Sequence, residues 1–184
     1  DDHPDTLETL GKLGFSEPSN ISGVIRGWHH GRFRATRSTR ARELLTELMP
    51  ALLTAFSRTV NPDGAFMRFN NFLADLPAGV QLFSLFHSNP PLLELLAEIM
   101  GSAPRLAQTL RHHTILFDAV LTADFFEPPP DAAMLAREME AALTPARDFE
   151  DVLTILGRHA NDRMFQTGVH MLRGRLDPGE AGAP

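Results

Sequence analysis

Pro91-Leu92-Leu93-Glu94-Leu95-Leu96-Ala97-Glu98-Ile99-Met100 is the stretch that decides the fold class. Leu92, Leu95, Leu96 and Ile99 recur at intervals of three and four, which places them on one apolar stripe of an α-helix. Ser88-Asn89-Pro90-Pro91 just before it reads as a helix start, with a capping side chain followed by proline. The same punctuation recurs along the chain. Asn61-Pro62-Asp63 and Ser102-Ala103-Pro104 open helices, and Leu76-Pro77-Ala78-Gly79 separates two of them. Glu127-Pro128-Pro129-Pro130-Asp131 is the longest breaker, with Asp131 placed to cap the next helix.

Working outward, the pattern predicts helices over Asp5–Leu13, Ser22–His30, Arg34–Arg58, Pro62–Leu76 and Val80–Phe86. It continues with Pro91–Met100, Pro104–His112, Thr114–Thr122, Asp131–Leu143 and Asp148–Leu176. Pro50 lies inside Arg34–Arg58 and is expected to kink or split it. Leu153, Leu156, Phe165, Val169 and Leu172 extend the apolar pattern along the last helix. The methionines, Met49, Met67, Met100, Met134, Met139, Met164 and Met171, read as core filling.

Composition agrees. The 184 residues include 26 Leu and 21 Ala but only 6 Val and 5 Ile. Straight-chain residues and Ala favour helix, and β-branched residues favour sheet. The expected architecture is all-α, a single multi-helix domain of about eight to ten helices with short loops. It spans residues 6–176, between a polar N-terminal linker at 1–5 and a C-terminal linker at 177–184. With 43% apolar residues the chain is globular rather than disordered. The absence of cysteine excludes disulfide scaffolds, thiolate metal sites and Cys nucleophiles. No run approaches the ~20 apolar residues of a membrane span, and the acidic start is unlike a leader, so a cytoplasmic protein is the expectation.

Charge gives the sharpest local feature. Arg26, Arg32, Arg34, Arg37, Arg40 and Arg42 fall in one stretch with no acidic residue, giving it +6 in a chain of net charge −6. Read as one helix from Arg34, the segment sets Ala41, Leu45, Leu48, Leu52 and Phe56 on its apolar face. Arg34 then lies on that stripe, Arg37 at its edge and Arg40 away from it. Cations in the first turns oppose the helix dipole and need compensation from elsewhere. Intrachain pairing would supply it, with Asp118 the candidate partner, since it interrupts the apolar run Ile115–Leu121. The other reading is a docking edge for an acidic partner or a neighbouring domain. Nucleic-acid binding is opposed by the net charge and by a single Trp.

Residues that could carry chemistry are sparse. His29-His30 and His112-His113 are adjacent pairs that face different ways on a helix, and no metal-binding His spacing surrounds them. His159 and His170 lie about three turns apart, too far for one ion. There is no Gly-x-Ser-x-Gly, P-loop or Gly-x-Gly-x-x-Gly. Metal-assisted nucleotidyl transfer needs a close carboxylate pair, usually Asp-x-Asp on a strand, and Glu138-x-Glu140 falls on a predicted helix.

The order of short motifs adds to this. The chain runs through Leu13-Gly14-Phe15, Pro18, Trp28, Arg37-Ser38-x-Arg40-Ala41-Arg42-Glu43-Leu44-Leu45 and Met49-Pro50-Ala51-Leu52-Leu53. Next come Pro62-Asp63, Arg68-Phe69, Asn89-Pro90-x-Leu92-Leu93 and Ala103-Pro104-Arg105-Leu106-Ala107. It ends with Asp118-Ala119-Val120-Leu121, Asp148-Phe149-Glu150-Asp151-Val152-Leu153, Phe165-Gln166-x-Gly168-Val169 and Leu172-Arg173-Gly174-Arg175-Leu176. From about Leu13 to Ala181 this series resembles the bifunctional glutamine synthetase adenylyltransferase/adenylyl-removing enzymes of bacteria. That family often has a proline near Thr114, where this chain reads His113-Thr114, a departure that touches only the start of one helix.

The resemblance implies a non-catalytic central helical domain between two nucleotidyltransferase domains, one removing AMP from glutamine synthetase and one adding it. The family's glycine-rich and Asp-x-Asp motifs match no position here, so no catalytic residue, cofactor-binding residue or metal ligand carries over. ATP and Mg²⁺ would belong to the parent enzyme. The implied partners are the flanking nucleotidyltransferase domains, the PII signal protein and, through the parent, glutamine synthetase. The implied role is to relay PII and glutamine signals in nitrogen regulation, with the Arg26–Arg42 edge as the partner-binding surface. A rigid spacer between two catalytic heads is the alternative.

Overall fold

The computed structural model describes residues 3–112 and 130–174, and every regular element among them is helical. Among the described residues the α-helices are α1 (Pro4–Lys12), α2 (Pro18–His29), α3 (Thr39–Ser57), α4 (Pro62–Asp75), α5 (Val80–Ser88), α6 (Pro90–Ser102), α7 (Pro104–His112), α8 (Ala132–Leu143) and α9 (Phe149–Leu172). A short 3-10 turn, Arg34–Thr36, precedes α3. The all-α expectation therefore holds. The predicted helix Thr114–Thr122, Asp118 and the 177–184 linker lie outside the described residues. Among the described residues no helix is long and apolar enough to cross a membrane.

The chain divides into two compact units, residues 1–114 and 115–184. In the first, α3 packs on α5 and α6, α4 packs on α6 and α7, and α1 packs on α2. Its centre is aromatic. Trp28 stacks on Phe66 at 4.9 Å and meets Phe69 edge-on at 5.7 Å, while Phe56 contacts both phenylalanines. All four rings are fully buried. The indole Nε1 donates to Asn70 Oδ1 at 3.0 Å, so the one polar atom of Trp28 is satisfied inside the core. Leu92, Leu95, Leu96 and Ile99 are all buried, as the α6 periodicity predicts.

Helix starts obey the sequence punctuation. Asn61 and Asp131 each accept a backbone N–H three residues on, at 2.8 Å. Asp148 does the same for Asp151, and the Asp151 carboxylate in turn accepts from the N–H of Arg147, the residue before the cap. Asp63, in the first turn of α4, accepts the N–H groups of Ser16 and Glu17 at 2.8 and 3.0 Å and ties the entry to α2 onto α4. In the second unit α8 packs on α9, and the Arg163 guanidinium binds the Glu138 carboxylate and donates to Gln166 Oε1.

Four expectations need correction. Pro50 does not split its segment: α3 runs unbroken from Thr39 to Ser57. Pro50 is exposed while Leu48 and Leu52 are buried, so solvent reaches the carbonyl that lacks its partner and packing holds the helix. The break falls earlier, where Ser38 caps Ala41 at 3.1 Å, so Arg34 and Arg37 lie outside α3. On α9, Phe165 and Val169 are fully buried but Leu153 and Leu156 are exposed, because they lie on another face of the helix. Met134, Met164 and Met171 are likewise exposed and do not fill a core.

Candidate functional site

The arginine stretch is built on the turn between α2 and α3. Helix α2 ends when Gly31 turns to a φ of +71°, a left-handed conformation that favours glycine, and the Arg32 N–H returns to the Gly27 carbonyl at 3.0 Å. The chain then enters the 3-10 turn, whose Ala35 and Thr36 are fully buried. Gly79, in the α4–α5 connection, supports the turn from behind. A Cβ at Gly79 would lie 2.3 Å from the Ala35 carbonyl oxygen, so only glycine allows this approach.

Arg42 fixes the turn from the other side. Its guanidinium donates to the carbonyl of Arg37 at 2.5 Å and of Thr36 at 3.3 Å, with a weaker bond to the Thr39 hydroxyl at 3.4 Å. The planar fork suits this task because it donates in several fixed directions at once.

The six arginines therefore divide by what they do. Arg42 is half-buried and engaged with backbone. Arg40, in the first turn of α3, forms an exposed ion pair with Glu43 at 3.3 Å. Arg32 lies over the Phe33 ring with its guanidinium carbon 5.6 Å from the centroid. Arg26 is exposed on α2 and already has a partner. Arg34 and Arg37 are exposed and form no ion pair within the described residues. The compensation that a single helix would have required is met differently: two of the cations sit outside the helix, and Arg40 brings its own acid.

Sequence reasoning missed Arg42 as a strap and Asp63 as a clamp. Asp63 was legible only as a first-turn acid, since its Ser16 and Glu17 partners lie more than forty residues away. Beyond the arginine edge, a shallow pocket lies between the end of α3 and α6, lined by Arg58, Thr59, Glu94, Glu98 and Ser102. Arg58 and Glu94 face each other there at 3.9 Å. Among the described residues no group of three or more His, Asp or Glu is placed to hold a metal ion.

No family model matches the chain, and no solved structure does. Curated relatives match it closely. The bifunctional glutamine synthetase adenylyltransferase/adenylyl-removing enzyme of Mesorhizobium japonicum is 50% identical over 98% of this chain. The enzymes of the same name from Agrobacterium fabrum and Brucella melitensis are 49% and 48% identical over 95% and 98% of it. In each case the match covers 18% of the relative. Identity this high along nearly the whole chain means that it is homologous to one segment, under a fifth of the length, of the bifunctional glutamine synthetase adenylyltransferase/adenylyl-removing enzymes.

Proposed function

We propose that this segment is a non-catalytic central regulatory domain of an enzyme that adenylylates and deadenylylates glutamine synthetase. It relays PII and glutamine signals between two flanking nucleotidyltransferase domains, in the cytoplasm. ATP and Mg²⁺ act on those catalytic domains. The observation that supports this reading is the pair of exposed cations, Arg34 and Arg37, on a turn held by Arg42 and backed by Gly79. A fixed positive edge in a chain of net charge −6 suits an acidic surface of PII or of a flanking domain. Regulation results if the partner binds that edge more tightly in one state of the enzyme than in the other.

The test is charge reversal in the full-length enzyme. Arg34→Glu together with Arg37→Glu should blunt the response of both activities to PII and glutamine and leave the rate of an isolated catalytic half unchanged. Titration calorimetry of the segment with unmodified and uridylylated PII, with and without glutamine, should separate the two forms, and the double variant should abolish that difference. Unaltered regulation and silent titrations would overturn the reading. They would leave the segment as a rigid spacer, which the interlocked aromatic core around Trp28 would equally suit.

A further inference from the structure

Helix α9 carries a second apolar stripe, and its large side chains are exposed. Phe149, Leu153, Leu156, Met164 and Met171 are 74, 54, 37, 59 and 37% exposed, and Ala160 between them is exposed too. With Thr167 they are spaced by fours and threes, so at about 100° per residue they fit within an arc of about 80°. The core-facing residues of the same helix, Phe165 and Val169, lie on the opposite side. If a large apolar side chain presents about 200 Å², the five exposed fractions come to roughly 500 Å². That is the size of the largest apolar patch on a typical monomer, concentrated on one helix.

The stripe is symmetric about Ala160. Phe149 and Met171 lie eleven residues to either side, Leu153 and Thr167 seven, and Leu156 and Met164 four. An antiparallel copy of the same helix, with the two-fold axis at Ala160, thus sets Leu156 against Met164, Leu153 against Thr167 and Phe149 against Met171, all at once. Ala160 meets Ala160 at the centre, beside an exposed Gly157 whose missing Cβ would meet nothing, so the two backbones are free to approach. No charged residue lies within the stripe. The cation nearest to it on the helical wheel, Arg163, is already engaged by Glu138 and Gln166 of its own chain.

From this we infer that the outward face of α9 is a self-association surface, on which a second copy of the chain packs antiparallel about Ala160. A self-complementary patch of this kind is what a two-fold interface requires. Two copies would bury roughly 1,000 Å², at the lower limit of a specific interface, so the pair forms and separates with concentration.

The lack of cysteine makes the test clean. Ala160→Cys introduces a single thiol on the axis, where the two Cα atoms lie close enough for a disulfide. On mild oxidation it should yield a covalent dimer of twice the monomer mass, well above the yield from Ser19→Cys, an exposed position on α2. Leu153→Cys alone should not, because residue 153 of each copy lies about 21 Å from the other along the axis. Leu153→Cys mixed with Thr167→Cys should. Sedimentation of the unmodified chain should show mass rising with concentration, and Leu156→Glu should hold it at the monomer. Equal yields at all positions, or a monomer at every concentration with no excess at residue 160, would overturn the inference and leave the face to other parts of a longer polypeptide.

Discussion

Arg42 donates to the main-chain carbonyl of Arg37 at 2.5 Å, so one arginine of the cluster holds the backbone that presents another. Removing the strap should therefore act on stability and on the edge together. Hydrogen bonds from a charged donor contribute about 1.5–3 kcal/mol, less where solvent reaches them. Arg42→Ala should cost about 1–2 kcal/mol in urea unfolding. Arg42→Lys should recover only part of that, since an ammonium does not reproduce the planar fork.

Trp28 is the chain's single tryptophan and sits at the centre of the aromatic cluster. Trp28→Phe removes part of a fully buried ring and leaves Asn70 Oδ1 without its donor. The cavity and the lost bond together should destabilise by about 2–4 kcal/mol. Circular dichroism is the measurement, because the variant has no indole emission. Asn70→Leu should cost less than Trp28→Phe, as it removes the bond but keeps the ring in place.

Two glycines should respond to alanine with opposite signs. At Gly79 a Cβ would sit 2.3 Å from the Ala35 carbonyl oxygen and 2.5 Å from the Phe83 ring. The backbone must move, and Gly79→Ala should cost about 1–3 kcal/mol while shifting the turn that carries Arg34. At Gly157, inside α9, a Cβ would meet nothing. Gly157→Ala should gain about 0.5–1 kcal/mol from helix propensity. Thermal unfolding of both variants in dilute solution settles the contrast.

Much of this fold was legible in the sequence where a signal is local. Capping residues and prolines placed Asn61-Pro62 and Asp131 at helix starts, Pro90 opened α6 although the Asn89 side chain does not cap it and donates instead to the Leu85 carbonyl, and the α6 spacing named its buried face. Pro18 was the missed signal, since it opens α2 four residues before Ser22. The α9 error has a different origin. The helix is apolar on two sides, and periodicity reports spacing without saying which stripe faces the core. The arginine edge was visible as charge, but its internal division was not. Whether Arg42 binds a carbonyl or Arg40 an acid depends on where the chain breaks, and Ser38 moved that break five residues inward from Arg34 to Thr39. Pairings such as Trp28 with Asn70 are long-range and leave no mark in local pattern.

Asp63 joins two distant parts of the first unit through a single carboxylate, and the two bonds can be tested separately. Its oxygens accept the Ser16 and Glu17 N–H groups, and it also lies in the first turn of α4, where an anion suits the dipole. Asp63→Asn keeps one carbonyl oxygen, loses the charge, and presents an amide donor to the second N–H. Asp63→Ala leaves both donors to solvent. The expected order of stability is wild type, then Asn, then Ala, with the alanine variant lower by about 1–2 kcal/mol. Amide hydrogen exchange at Ser16 and Glu17 should quicken in both variants while the exchange of Phe66 and Phe69, deep in α4, stays slow. Slow exchange at residue 16 or 17 in the alanine variant would mean that packing around Phe15, rather than the carboxylate, holds the entry to α2.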